Sequence, residues 1–219
     1  HHDYYEMPNG NLLVASDDFN NDSGTVEDYV VEIKRDTGKI VRSFDLKDIL
    51  NMKDGESENS SSYDWFHNNS VWYDKKTNSI TLSGRHMDAV INISYKTGKL
   101  NWIIGDSSNW SKKYQKYFFK PVGDNFEWQW SQHAAMITPE GYVFLFDNGN
   151  NKSTKVQEPN AFIVPKILPK ILNPNNLNLE TASVAVDIAL IPKALSHGMN
   201  AKIIKTNSNP KRIENVTVL

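Results

Sequence analysis

Residues 128–147, WQWSQHAAMITPEGYVFLFD, set His133 at the head of a strand-like run that turns at Pro139-Glu140-Gly141 and resumes over Tyr142–Phe146. The turn follows the histidine by six to eight residues, and the same offsets recur where His2 precedes Pro8-Asn9-Gly10. His67 leads a third copy, with Asp74-Lys75-Lys76 in nearly the same register. His2 and His67 lie 65 residues apart, His67 and His133 66. A second landmark repeats too: the Thr-Gly-Lys turns place Gly38 and Gly98 60 residues apart. Each period reads as a histidine-led strand, a turn, a strand and a second hairpin. Four strands per repeat make a β-propeller blade, so the expected fold class is all-β, built of propeller blades.

Working outward, the spacing predicts strands over Leu12–Ser16, Tyr29–Arg35, Ile40–Phe44, Ser79–Ser83, Ala89–Ser94, Leu100–Ile104 and Tyr142–Phe146. These runs are β-branched and aromatic, and turn clusters carrying Gly, Asn or Pro separate them. No amphipathic helix is evident before residue 110; Ser111–Lys120 reads as a short helix or a solvated basic loop. The period exceeds the usual blade of about 40–50 residues, so Asp48–Asp64 and Asp106–Gln129 are expected to be loop insertions. Propellers need about 4–8 blades, and slightly over three periods fit in 219 residues. The chain is therefore too short to close a ring.

Composition divides the chain near residue 151. Of 24 aromatic residues only Phe162 lies beyond it, whereas six of nine prolines do. Residues 1–151 are expected to form about two and a half blades carrying the site. Residues 152–219 read as a divergent tail: a degenerate blade, or a frame-shifted or disordered segment. His197, 64 residues after His133, faintly echoes a fourth copy.

Charge and residue content exclude several function classes. With 24 Lys+Arg against 26 Asp+Glu, there is no basic surplus for neutralising nucleic-acid phosphates. Absence of cysteine removes disulfide scaffolds, Cys-ligated zinc, iron–sulfur clusters and thiol nucleophiles. No apolar run approaches the roughly 18 residues of a membrane span, so no membrane association is expected. The chain starts at His1 without a leader-like segment, as a mature product or a fragment would.

Histidines repeating at one register of successive blades converge on a common site. His2, His67 and His133 are therefore candidate functional residues. A ring of imidazoles either ligates a metal or binds and attacks an anionic group. Arg85, at the end of the strand expected to pair with the His67 strand, favours the anion, because guanidinium repels a divalent cation and forks onto oxyanions. A surface ion pair with Asp88 is the competing use of Arg85. His1 and His86 each neighbour a site residue and are set aside by period-two alternation. Trp65, Trp128 and Trp130 stand near the histidines and either wall an aryl pocket or fill gaps between blades. Lys112, Lys113 and Lys116 are expected on a solvated face.

Three stretches, HHDYYEMPNGNLLV (1–14), DWFHNNSVWYDKKTNSITLSGRHMDAV (64–90) and WQWSQHAAMITPEGYVFLFDNGNN (128–151), resemble the bacterial aryl-sulfate sulfotransferases. The resemblance covers roughly residues 1–151 and implies a six-bladed propeller that moves a sulfuryl group between phenols without a nucleotide donor or other cofactor. It implies His133 as the nucleophile forming a sulfohistidine, His2, His67 and Arg85 as catalytic groups on the sulfuryl oxygens, and Asn69 as a substrate-binding residue. The partners implied are an aryl sulfate donor and a phenolic acceptor, and the setting is periplasmic or secreted. The chain departs from a branch with a cysteine pair before the nucleophile's strand, and the pattern fades after about Lys152. A homodimer is one way to supply missing blades. Two alternatives stay open: a metalloenzyme with His2, His67 and His133 as ligands, against which the lack of a carboxylate partner counts, and a non-catalytic fragment.

Overall fold

The computed structural model describes residues 2–17, 24–57, 60–121, 128–150, 160–164, 202–206 and 213–217. Two four-stranded antiparallel meanders dominate it. The first joins β1 (Tyr4–Glu6), β2 (Leu12–Ser16), β3 (Tyr29–Ile33) and β4 (Ile40–Asp45) in that order. The second joins β5 (Asn68–Asp74), β6 (Ser79–Gly84), β7 (Ala89–Ser94) and β8 (Leu100–Ile104). A third sheet contains β9 (His133–Ile137), β10 (Val143–Asp147) and β11 (Asn160–Val164), and β12 (Lys202–Thr206) pairs with β13 (Ile213–Thr217). The fold is all-β, an open set of propeller-like blades. His197 lies outside the described residues.

Successive sheets meet along their first strands, as blades do around an axis. β5 packs against β1 and β2 on one side and β9 on the other. Two equivalent links lock this order: Asp3 accepts from the Val71 N–H at 2.9 Å, and the Ser70 hydroxyl accepts from the Ala135 N–H at 3.0 Å. In each, a side chain leading one blade caps a main-chain donor on the next.

Strand alternation builds the core between the sheets. Leu13, Val30, Ile80, Leu82, Ile91 and Ile93 are fully buried in one cluster with Trp65 and Phe66. A second cluster, Val90, Trp102, Ile104, Ala135, Val143 and Leu145, glues the second sheet to the third. Area-driven burial of this kind supplies the main stabilisation of a sheet stack.

Both expected insertions are present and pack on each other. Asp54 accepts from the Ser111 N–H at 2.6 Å, and Trp110 is buried against Gly55. Gly55 has φ +70°, and a Cβ there would meet the Trp110 ring at 2.5 Å, so two constraints demand glycine. The Ser111–Lys120 stretch is turns with a single 3-10 turn at Gln115–Tyr117; Tyr114 and Phe118 are buried, and Lys112, Lys113 and Lys116 are exposed as expected. Among the described residues no helix is long and apolar enough to cross a membrane.

Candidate active site

Strand pairing assembles the site. β5 and β6 form a hairpin whose open end pairs Asn68 with Gly84, and the Arg85 N–H donates to the His67 carbonyl at 3.1 Å. Arg85 thus stands beside His67, as the hairpin length required. The loop before β9 reaches the same end through Gln132, whose side-chain amide donates to Ser83 Oγ, the Gly84 carbonyl and the Ala89 carbonyl at 3.0–3.1 Å. That docking delivers His133 to the edge that carries Arg85.

Three imidazoles meet at this edge with their rings tilted against one another. His2 and His67 have ring centroids 4.9 Å apart, and His67 and His86 4.4 Å apart. Two carboxylates hold them. Glu27 reaches His2 Nε2 at 3.0 Å through one oxygen and stands 2.8 Å from His67 Nδ1 with the other. Asp64 accepts the better-aligned hydrogen bond from His67 Nδ1 at 2.7 Å. Burial alone would raise the Asp64 carboxyl, but the His67 hydrogen bond and the His67, His86 and Arg85 charges hold it below its ordinary value.

His133 is half-buried. Its Nδ1 lies 3.2 Å from the Ser131 carbonyl and 2.9 Å from the Asn148 amide nitrogen, which also donates to that carbonyl at 2.7 Å. Burial pushes the imidazole below its ordinary pKa; the Ser131 contact opposes this, and the Arg85, His67 and His2 charges add to the lowering. Left-handed backbone recurs around the site: Glu27, His67, Ser131 and Ala134 have φ of +53° to +55° without being glycine. Side chains in that region carry strain that only a tightly determined surrounding sustains.

Asn69 lies at the β-bulge in β5, buried, with its amide donating to the Gln132 carbonyl at 2.8 Å. It grips the residue before His133. The Asp88 carboxylate accepts from the Ser131 N–H at 2.5 Å, and its carbonyl accepts from Gln129. Trp65 is 1 % exposed and donates to Asp28, so it fills the interior and walls no pocket, while Trp128 packs on the second core cluster.

Two expectations need correction. His86, set aside by alternation, belongs to the cluster, because β6 ends at Gly84 and the chain enters a 3-10 turn at Arg85–Met87 where period two no longer applies. The glycine ending the strand was the available signal. The carboxylates counted as missing are Glu27 and Asp64, which loops of two repeats bring in. Asp64 lies three residues before His67, whereas Glu27 had no sequence signal. Ligand-capable atoms of His2, Glu27 and His67 lie within 4.8 Å of one another, as do those of Asp64, His67 and His86; His133 joins neither group. The carboxylates already meet imidazole nitrogens in both, and His86 has both ring nitrogens engaged, so the clusters read as hydrogen-bonded imidazoles.

The model of the arylsulfotransferase (ASST) family matches residues 1–164, through the end of β11. Arylsulfate sulfotransferase AssT of Escherichia coli O6:H1 is 26% identical over 207 residues, covering 69% of this chain and 34% of that protein. The AssT of Lelliottia amnigena is 31% identical over 104 residues, covering 40% of this chain and 17% of that protein. The chain thus spans about a third of the length of the first relative and less of the second. With the match extending over the first three sheets and all the clustered histidines, the chain belongs to the arylsulfotransferase family.

Proposed function

We propose that this chain carries the donor-binding and nucleophile part of an aryl-sulfate sulfotransferase that works by a ping-pong cycle through a sulfohistidine. The observation that carries the reading is the surroundings of His133, a half-buried imidazole on a segment that Gln132 docks against the edge carrying Arg85; burial and the Arg85, His67 and His2 charges of the other two repeats push its pKa down. Nδ1 is engaged by the Ser131 carbonyl and the Asn148 amide, so the attacking atom in this reading is Nε2, which presents its lone pair when the Ser131 contact keeps the proton on Nδ1. His133 Nε2 attacks sulfur, the bond from sulfur to the aryl oxygen breaks, and the phenoxide leaves with its electron pair. In this reading His67, whose Nδ1 meets Asp64 and Glu27, gives that oxygen a proton, with His2 beside it. The acceptor phenol then returns a proton to the imidazole as its oxygen attacks sulfur and the N–S bond breaks. Arg85 compensates charge on the sulfuryl oxygens. Sulfuryl transfer resembles phosphoryl transfer, in which positioning and electrostatics do most of the work.

Asn69 acts in this scheme through Gln132, and an aryl sulfate and a phenol are the proposed partners. The proposed setting is periplasmic or secreted, with the remaining blades completing the ring. The test is phenol-dependent release of nitrophenol from 4-nitrophenyl sulfate, comparing the chain with His133→Asn. Release that needs phenol and vanishes in the variant supports the reading; equal release by both contradicts it.

A further inference from the structure

His86 touches two partners whose chemistry leaves no choice of tautomer. The Asp64 carbonyl, 2.7 Å from Nδ1, can only accept, so Nδ1 carries a proton. The Arg85 Nη1, 2.8 Å from Nε2, can only donate, so Nε2 presents its lone pair. We propose that His86 is a positioning residue, a neutral imidazole that braces the Arg85 guanidinium and aims it at the sulfuryl oxygens. The proposal rests on the sulfotransferase reading of Arg85.

The brace is itself firmly mounted. His86 is 8 % exposed, its N–H donates to the Phe66 carbonyl at 3.2 Å, and its own carbonyl accepts from the Ser57 and Ser60 hydroxyls. Asp64, His67 and Arg85 are the charged or titratable groups that face it. Burial lowers its pKa, which suits a ring that must keep Nε2 bare toward a cation. An arginine side chain otherwise samples many rotamers, and fixing it in advance removes that cost from anion binding. The N–H groups that His86 does not engage stay available for forked contact with oxyanion oxygens.

The test uses the full 219-residue chain labelled with nitrogen-15. Histidine ring spectra should show His86 protonated at Nδ1 and bare at Nε2, and Arg85→Ala should shift the Nε2 resonance. Inorganic sulfate is then titrated into the wild type, His86→Leu and His86→Gln. Loss of the brace should weaken sulfate by about tenfold, as expected for one bond to a charged group, and Gln, whose carbonyl accepts from Arg85, should recover most of it. A proton on Nε2, or sulfate binding by His86→Leu equal to the wild type, overturns the proposal. The ring measurement on the wild type stands even if a His86 variant misfolds. The expected ring signals in a wild type that takes no sulfate would support the brace and count against the sulfotransferase reading.

Discussion

The side-chain amide of Gln132, the residue before His133, donates to the carbonyl of Gly84, the residue before Arg85, at 3.1 Å. One fully buried side chain therefore registers the third blade against the second at the point where the chemistry must meet. Gln132→Leu should leave Ser83 and the Gly84 and Ala89 carbonyls without this donor. The expected loss is about 2–4 kcal/mol, measured by urea unfolding. His133 and Arg85 should lose their fixed relation, so phenol-dependent turnover should fall further than the loss of folded protein explains.

Tyr95 ties the first two blades together. Its hydroxyl donates to Glu32 on β3 at 2.5 Å, and Arg42 lies over its ring at 4.4 Å and donates to its carbonyl. Burial, the Glu32 hydrogen bond and the Glu32 charge push the phenol up to about 12. An ultraviolet titration should show a tyrosine ionising near that pH, and Tyr95→Phe should abolish the step. The variant should cost about 1–2 kcal/mol, since Glu32 keeps its bonds from Asn9 and Asn11.

A buried ion pair holds the loop side of the first blade. Asp28, 0 % exposed, accepts from Lys47 Nζ at 2.9 Å and from Trp65 Nε1 at 2.8 Å. Asp28→Ala removes Oδ2, the one oxygen that accepts from both donors, and should destabilise by about 2–4 kcal/mol. Tryptophan emission should move to longer wavelength in the variant as Trp65 loses its burial.

Acid should destabilise the fold in two stages. His86 and His133 have folded-state pKa values depressed below 6.5, so their stabilisation is complete above that pH and is lost as pH falls through the lower folded values. Glu32, Asp45 and Asp64 are depressed below ordinary carboxylate values of 4.5 and 3.8, and their share is lost only at still lower pH. Urea midpoints measured against pH should show both stages, and His133→Asn should shrink the first while sparing the second.

The histidine register and the hairpin arithmetic were legible in the sequence because both follow from strand periodicity. Leu12–Ser16, Ala89–Ser94 and Leu100–Ile104 end where the residue types say they should. Arg85 was found the same way, from the length of the β5–β6 hairpin. His86 escaped because alternation is a property of strands, and the chain stops being one at Gly84. Glu27 escaped for a different reason: it enters from a loop in left-handed backbone before β3, away from the histidine-led strand that marks the repeat. The use of Gln132 was equally hidden, since its three acceptors are spread over residues 83–89 and only folding gathers them.

The central claim is that His133 carries the sulfuryl group. The chain would be incubated with 4-nitrophenyl sulfate without a phenol acceptor, quenched in alkali and digested, and the peptide containing His133 weighed by mass spectrometry. An added SO3 on His133 that disappears when phenol is supplied is the expected result. Phenol-dependent release of nitrophenol with no SO3 on His133, or with SO3 on another residue, would contradict it.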